Sequence, residues 1–374
     1  MRTLIPVEND DILTAIQGFL KQLLEEEIVE AVLAPMETPS GAVTPSLVTD
    51  PDLIERVDPL APVMGLNAAR VVGPVSVREP RGRIAVVLHP CEMRALVELV
   101  KLQQASLDEL VTVAVDCPGT YTVQVYETIR ANGGVDRTML LGNMESGDLA
   151  PQEGYAFRDA CQMCEKPHAE GADVLIELFG ADLSAGIPVT LPDEMGETLG
   201  LQPSEVENAR PKVVEKLVAR RTEVRDERFA EIQQRLDEEG LDQVFASCIR
   251  CHNCMTTCPI CYCKTCLFKS PIFDHEPVQY MNWARRKGAY RLPSDTMLFH
   301  LTRLNHMVLS CIGCGVCTDA CPADLPVAQV FRAMGQDVQL VFEYEPGRSV
   351  EEPLPLITFQ EDEWTEVGEE RAEP

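Results

Sequence analysis

Short, continuous apolar runs alternate with helical patterns in the first half of the chain. Residues 84–88 and 110–115 are apolar at nearly every position, which is typical of parallel strands covered on both faces. A proline turn and then a helical pattern follow the first of these runs. Residues 12–35 fit a helix followed by a strand. This alternation predicts an α/β region with a mostly parallel sheet.

The second half carries mainly helical patterns. Residues 211–239 form a strongly charged stretch with one apolar stripe, and apolar side chains recur at helical spacing in residues 296–308. Residues 343–374 hold 11 acidic and 2 basic side chains and too little apolar surface for a core of their own. We therefore expect a charged linker helix, a mainly helical domain and an acidic tail.

The whole chain is strongly acidic. It has 374 residues, of which 32 are lysine or arginine and 60 are aspartate or glutamate, for a formal net charge of -28. This charge would repel a nucleic acid, so we expect no nucleic-acid partner. No apolar run is long enough to cross a bilayer, and the N-terminus lacks an apolar signal segment. We expect a cytoplasmic protein without a membrane span.

Fifteen cysteines are the unusual feature of this composition. A reducing cytoplasm disfavours disulfides, and an odd number of cysteines cannot be fully paired within one chain, so bound metal is the better explanation. The cysteines fall into a scattered group of four, a dense group of seven and a final group of four. In chain order they are Cys91, Cys117, Cys161 and Cys164; then Cys248, Cys251, Cys254, Cys258, Cys261, Cys263 and Cys266; then Cys311, Cys314, Cys317 and Cys321.

One cysteine motif occurs twice. Residues 248–259 and 311–322 both follow the pattern C-x2-C-x2-C-x3-C-P, which is the bacterial ferredoxin run for [4Fe–4S] clusters. In two-cluster ferredoxins the first three cysteines of a run bind one cluster and the fourth binds the other. This rule assigns Cys248, Cys251, Cys254 and Cys321 to cluster 1, and Cys311, Cys314, Cys317 and Cys258 to cluster 2.

Zinc knots are the alternative, because they also use paired C-x2-C elements. Zinc needs only four ligands and has no use for the third C-x2 step or the closing Cys-Pro, so we favour clusters. Cys261, Cys263 and Cys266 follow the first run and are left over. These three cysteines could belong to an extra metal site, or they could be thiols packed beside the cluster. We favour packed thiols, because a metal site with three cysteine ligands would need a fourth ligand.

The two runs are separated by a helical spacer much longer than that of small ferredoxins. In this respect residues 241–335 resemble the dicluster modules of succinate dehydrogenase iron–sulfur subunits and of the heterodisulfide reductase small subunit, which implies electron transfer inside a complex. Between residues 248 and 332, nine basic side chains oppose five acidic ones, enough to offset the negative charge of two clusters. Residues 285–287, Arg-Arg-Lys, are a candidate patch for docking a partner.

Four cysteines of the first half suggest a further site. Cys91 follows the first apolar run and lies near a predicted helix N-terminus, and Cys117 follows the second run. Open α/β sheets build their sites at the carboxyl ends of strands, and a helix N-terminus favours a thiolate. Cys161 and Cys164 add a C-x2-C pair. Together they form a four-ligand set for cluster 3; the alternative is two buried core cysteines and an incidental pair.

A family resemblance covers this half of the chain. Residues 87–96, Val-Leu-His-Pro-Cys-Glu-Met-Arg-Ala-Leu, resemble the PC-x3-AL element of beta subunits of coenzyme F-420 (deazaflavin) hydrogenases and formate dehydrogenases. Residues 161–174 resemble that family's later cysteine pair with its ADI stretch, and residues 12–35 resemble its opening element. Similarity extends across residues 1–200. It implies one [4Fe–4S] cluster beside FAD, with hydride exchange between FAD and the deazaflavin.

The sequence departs from this family at the first helix. Flavin-binding members have a Gly-Gly element there, where the backbone approaches the cofactor closely. This chain has Glu8-Asn9-Asp10-Asp11-Ile12 instead. Carboxylates at this position would repel a pyrophosphate, so the sequence favours the iron–sulfur cluster over FAD.

These observations divide the chain into five parts and lead to one predicted function. The parts are an N-terminal α/β subdomain (residues 1–80), an α/β cluster-binding domain (81–203), a helical linker (204–240), a dicluster ferredoxin-like domain (241–335) and an acidic tail (336–374). We predict an iron–sulfur electron-transfer subunit of a cytoplasmic oxidoreductase complex, whose other subunits are its partners and catalyse the bond chemistry. The alternatives are a beta subunit that binds FAD and itself oxidises or reduces a deazaflavin or similar carrier, and a zinc-bound scaffold.

Overall fold

A single seven-stranded sheet organises the first 200 residues. The computed structural model describes residues 1–77, 82–204 and 209–356. The strand order across the sheet is β1-β7-β6-β5-β4-β2-β3. The strands are β1 (Arg2–Ile5), β2 (Ala31–Glu37), β3 (Val43–Val48), β4 (Ile84–Leu88), β5 (Leu110–Val115), β6 (Val174–Ile176) and β7 (Ile187–Thr190).

The four central strands of this sheet are parallel. β2 pairs with β4, β4 with β5 and β5 with β6 in parallel register. The edges are antiparallel, where β3 pairs with β2 and where β7 pairs with both β6 and β1. Every residue of β4 and β5 is buried, as their continuous apolar runs predict. The predicted α/β class with a mostly parallel sheet is confirmed.

Helices cover both faces of the sheet and make up most of the second half. Those of the sheet region are α1 (Ile12–Glu25), α2 (Ala69–Ser76), α3 (Pro90–Lys101), α4 (Val123–Ala131), α5 (Arg137–Ser146), α6 (Asp159–Gln162) and α7 (Asp193–Thr198). Those of the second half are α8 (Arg210–Glu239), α9 (Leu241–Val244), α10 (Asn253–Thr257), α11 (Pro277–Lys287), α12 (Thr296–Met307), α13 (Val316–Asp319) and α14 (Val327–Val341). Short 3₁₀ turns lie at Pro51–Arg56, Leu267–Lys269 and Pro271–Phe273.

The sheet has an apolar core on each face, because alternate residues of a strand point to opposite sides. Ala85 and Val87 of β4 pack in the core that includes Leu20 of α1. Val86, between them, packs in the opposite core with Leu96 of α3. Both cores are made of side chains that are almost fully buried.

The second half is helical, as predicted. The charged stretch forms α8, and the periodic segment before the second cysteine run forms α12. A third core lies here and includes Phe245, Phe299 and Phe331. Across the described ranges, no helix combines the length and the apolar character that crossing a membrane requires.

The first part of the acidic tail packs against the sheet region. The Tyr344 hydroxyl donates to Glu98 Oε1 at 2.6 Å, and the Gly347 N–H donates to the same oxygen at 2.8 Å. Glu98 lies on α3 and is fully buried. This part of the tail therefore packs on the buried side chains of the sheet region and has no separate core of its own among the described residues. Residues 357–374 lie outside the described residues, as do 78–81 and 205–208, which adjoin predicted domain boundaries.

Candidate iron–sulfur sites

The structure brings the four cysteines of the predicted cluster 1 together. Burial raises the pKa of the Cys254 thiol to about 11, while the Arg303 guanidinium lowers it. The thiols that raise this pKa by proximity are Cys248, Cys321 and Cys251. The Arg250 N–H also donates to Cys248 Sγ at 3.4 Å. Thiols from both runs thus meet, as the ferredoxin rule requires.

Two side chains of α12 contact these thiols. Arg303 donates from Nη1 to Cys254 Sγ at 3.0 Å and from Nη2 to the Cys254 carbonyl oxygen at 3.1 Å. His300 Nε2 lies 3.3 Å from Cys248 Sγ. Burial lowers the pKa of His300 to about 4, with Arg303 adding to the effect, so the ring is neutral at pH 7. In the sequence, Arg303 stands out only as one of the local basic residues, and no motif identifies His300.

The predicted cluster 2 set is also assembled, and none of its four cysteines is exposed, whereas Cys251 of the first set is. Burial raises the pKa of the Cys317 thiol well above its usual value, and the nearby Cys258 thiol raises it further. Cys314 and Cys311 act in the same direction. Cys258 therefore lies close to the three cysteines of the other run, and its assignment to cluster 2 stays a prediction.

The two cysteine loops share a backbone conformation but differ in the residues that adopt it. Positive φ angles occur at the same two motif positions, in Arg250 (54°) and His252 (64°) and in Gly313 (75°) and Gly315 (76°). A Cβ at Gly315 would overlap the Cβ of Ala160. Glycine is therefore required where the second loop packs closely on the sheet region, while the first loop accommodates side chains.

The four cysteines of the first half converge at the carboxyl ends of the strands. Burial raises the pKa of the Cys91 thiol, with contributions from Glu92 and then Cys314. Cys117 and Cys164 contribute as well. Burial likewise raises the pKa of the Cys117 thiol, and the neighbouring thiol of Cys161 is the next cause. The four-thiol set predicted for cluster 3 is thus brought together by the fold.

A buried carboxylate fixes the strand end that carries Cys117. Asp116 is 2% exposed and lies at the end of β5. It accepts backbone N–H bonds from Ala169 (2.7 Å), Leu178 (2.8 Å) and Phe179 (2.9 Å) and pairs with both terminal nitrogens of Arg210. No motif of the sequence identifies Asp116; its only signal is an acidic side chain placed directly between a buried strand and a cysteine.

The cluster 2 and cluster 3 sets adjoin each other through Arg158. The Arg158 side chain is 1% exposed, and its Nε lies 2.7 Å from Asp319 Oδ2. It donates to the Cys314 carbonyl oxygen and, at 3.2 Å, to Thr120 Oγ1. The Thr120 N–H in turn donates to Cys161 Sγ at 3.4 Å. One buried cation therefore connects backbone and side chains of both thiol sets, and no sequence signal identified it.

The arrangement of these thiols suits clusters. Thiolate ligands, N–H donors to sulfur and nearby cations are the surroundings that such clusters use. The residues present fit three [4Fe–4S] clusters.

Comparison with known proteins agrees with this fit. Residues 247–326 match the 4Fe-4S dicluster domain family. The chain is 24% identical to the F420-dependent formate dehydrogenase subunit beta of Methanocaldococcus jannaschii, a match that covers 92% of this chain and 93% of that protein. Over nearly its whole length, this chain is similar to a formate dehydrogenase beta subunit. The predicted family resemblance and the predicted [4Fe–4S] cofactors are confirmed; which cysteine binds which cluster stays a prediction.

Two further similarities were found. The F420-dependent formate dehydrogenase 1 subunit beta of Methanococcus maripaludis is 25% identical over 91% of this chain and 92% of its own length. A chain of the F420-reducing [NiFe] hydrogenase complex of Methanosarcina barkeri aligns with a TM-score of 0.44 at 11% identity. That alignment covers 62% of this chain and 92% of the hydrogenase chain.

Proposed function

We propose that this chain relays electrons as the iron–sulfur subunit of a cytoplasmic oxidoreductase complex of the formate dehydrogenase or hydrogenase type. The observation that carries the proposal is the continuity of the three thiol sets. In the proposed assignment, the first and second sets each take one cysteine from the other's run. The second set adjoins the third through Arg158 and through the neighbouring thiols Cys91 and Cys314. The type of complex is supported by the two relatives, both of which are named as beta subunits of a formate dehydrogenase.

Each thiol set has its own surroundings. When bound, the clusters would supply one-electron redox chemistry. In the first set, the Arg303 guanidinium offsets the negative charge of the thiolates, and it lies 5.6 Å and 5.0 Å from the ring centroids of Phe299 and Phe331. The second set contacts the sheet region through Cys314, and none of its cysteines is exposed. The first set reaches the surface, since Cys251 is exposed and Ile249 is 62% exposed. We infer that electrons enter or leave the chain there.

The flavin-containing alternative has support in the names of the relatives, which include dependence on F420. The first helix argues against it in this chain. The Asp11 carboxylate accepts the Thr14 N–H at 3.0 Å and so caps α1. A carboxylate thus satisfies the helix N-terminus where a phosphate would bind. We propose that bond chemistry takes place in partner subunits.

Anaerobic purification followed by iron, sulfide and flavin analysis tests the proposed function. We expect about twelve irons and about twelve sulfides per chain, because three thiol sets each fit a four-iron cluster. We expect less than about one flavin per ten chains, because a carboxylate occupies the flavin-binding helix end. Stoichiometric FAD would favour the flavin enzyme instead, and zinc without sulfide would contradict both redox functions.

The surface around α11 is the candidate partner-binding surface. No residue of α11 is buried, and its last turn carries the basic residues 285–287. Large apolar side chains on or beside it are exposed: Ile272 by 59%, Val278 by 61%, Met281 by 54% and Leu292 by 62%. Basic residues next to exposed apolar side chains, in a chain of charge -28, fit a partner subunit with an acidic and apolar face.

Charge reversal on α11 is expected to dissociate the complex. We predict that R285E/R286E/K287E lowers recovery of partner subunits with the tagged chain by at least about tenfold at physiological salt, because attraction becomes repulsion. Native mass spectrometry and quantitative gel analysis measure it, with iron content checking that the chain is intact. K212E/K216E/R220E, on the exposed face of α8, gives the same charge change as a control. Equal recovery for both variants would contradict the assignment.

A further inference from the structure

A cationic cavity lies beside the second thiol set and outside all three. It has a volume of about 530 Å³ and is bounded by α2, the end of α3 and the loop that follows the first cysteine run. Three basic residues line it: Arg70, Lys264 and Lys269. None of the described residues lining it is acidic, although acidic residues outnumber basic ones by 60 to 32 in the chain. Such a wall favours an anionic ligand.

The three cysteines without a cluster assignment line this same cavity. They are Cys261, Cys263 and Cys266. Cys263 is exposed, whereas Cys266 is half-buried with its Sγ 3.8 Å from Met255 Sδ. The chain bends at the two residues between them, so a C-x2-C pair curves around one wall of the cavity. This is the spacing of redox-active dithiols.

The remaining walls anchor this loop next to the second thiol set. The Cys261 N–H donates to the Cys258 carbonyl oxygen at 3.3 Å. Arg70 Nη1 donates to the same oxygen at 2.9 Å. Apolar side chains of Val77, Leu99 and Met255 complete the lining. The cavity thus offers a cationic rim, an apolar wall and a pair of thiols of unequal exposure.

We propose that Cys263 and Cys266 form a redox-active dithiol that exchanges with a small anionic disulfide bound in this cavity. The Cys263 thiolate attacks one sulfur of the disulfide, forming a mixed disulfide as the first thiol leaves and takes up a proton. The Cys266 thiolate then attacks Cys263 Sγ, closing the Cys263–Cys266 disulfide and releasing the second thiol. The dithiol loses two electrons and two protons, and the ligand gains them. A free dithiol restores the pair by the reverse exchange.

Trapping the mixed disulfide tests this proposal. The full-length, iron-loaded, reduced chain is mixed anaerobically with dithiodipropionate, a dianionic disulfide, and analysed by peptide mass spectrometry. We expect a Cys263–Cys266 disulfide in the wild type. In Cys266→Ser we expect a stable adduct on Cys263, because the resolving thiol is gone. In Cys263→Ser we expect no adduct on the half-buried Cys266.

The charge of the disulfide provides the second measurement. Dithiodipropionate is expected to react at Cys263 about tenfold faster than cystamine, its dicationic counterpart, because the cationic rim concentrates anions. The variant K264Q/K269Q is expected to lose most of this preference, and K212Q/K216Q, on exposed α8, is expected to keep it. Equal rates for the two disulfides, or a bond between another pair of cysteines, would overturn the proposal.

The result is independent of the proposed electron relay. The two cysteines alone supply the electrons for the thiol–disulfide exchange. The exchange can therefore be measured whether or not the iron content is complete. A wild-type chain with about twelve irons and an unreactive Cys263 would contradict the proposed dithiol exchange and would still support the proposed electron relay. Fewer irons with normal exchange would contradict the relay and support the dithiol.

Discussion

Replacing Arg158 with methionine is expected to lower the free energy of unfolding by about 3 kcal/mol, since removing one member of a buried ion pair leaves the other uncompensated. The Arg158 side chain is 1% exposed and is paired with Asp319. It also donates to the Cys314 carbonyl oxygen, which would lose this partner. The substitution thus weakens the junction between the sheet region and the dicluster domain. Anaerobic denaturant titration followed by circular dichroism measures the loss.

A surface pair provides the control for this variant. Arg220 lies 2.8 Å from Asp148, with both side chains more than 60% exposed. Arg220→Met is expected to cost less than about 0.5 kcal/mol, because exposed ion pairs contribute little. A comparable loss in the two variants would show that Arg158 does not hold the junction together.

The loss at Arg158 is expected to depend on pH. Burial raises the pKa of the Asp319 carboxyl above its ordinary value, and Arg158 lowers it again. A raised carboxyl pKa means that ionised Asp319 costs stability at neutral pH and that protonation relieves this cost. Without Arg158 the pKa rises further. The difference in stability between wild type and Arg158→Met should therefore shrink as the pH falls through the Asp319 titration. A difference that grew on acidification would contradict this account.

Replacing both Cys161 and Cys164 with serine is expected to remove about four irons per chain, one third of the total, because a four-iron cluster does not persist on two of its four ligands. The two other thiols of the set would remain: Cys91 is half-buried and Cys117 is buried. Iron and sulfide analysis measures the loss, and electron paramagnetic resonance of the reduced protein should show one cluster signal fewer.

The dithiol pair makes the matched control, since Cys263 and Cys266 have the same C-x2-C spacing as Cys161 and Cys164. The Cys263→Ser/Cys266→Ser variant should keep all of its iron. Unchanged iron in the Cys161/Cys164 variant would mean that the first-half set holds no cluster. Iron loss in the control would mean that the leftover cysteines are ligands after all.

The dicluster domain was predictable because its cysteine motif is encoded in local spacing. Each run places three thiols within seven residues, so the loop itself brings them close, and the duplicated motif indicates where the fourth ligand comes from. The buried strands β4 and β5 were predictable for a similar reason, since each is a continuous apolar run. The residues around the thiols were not predictable. His300 lies 52 residues from Cys248, and only the packing of α12 brings its ring to that sulfur.

By itself, the sequence determined the buried strands β4 and β5, the charged helix α8 and the duplicated cysteine motif, because these depend on patterns within one segment. The tertiary structure decided everything that depends on separate segments meeting. It joined Cys91 and Cys117 at neighbouring strand ends to the pair Cys161 and Cys164. It also placed Arg158 against a loop 156 residues away along the chain. A buried cation needs partners that satisfy its charge and donors, and only the folded chain shows which distant groups supply them.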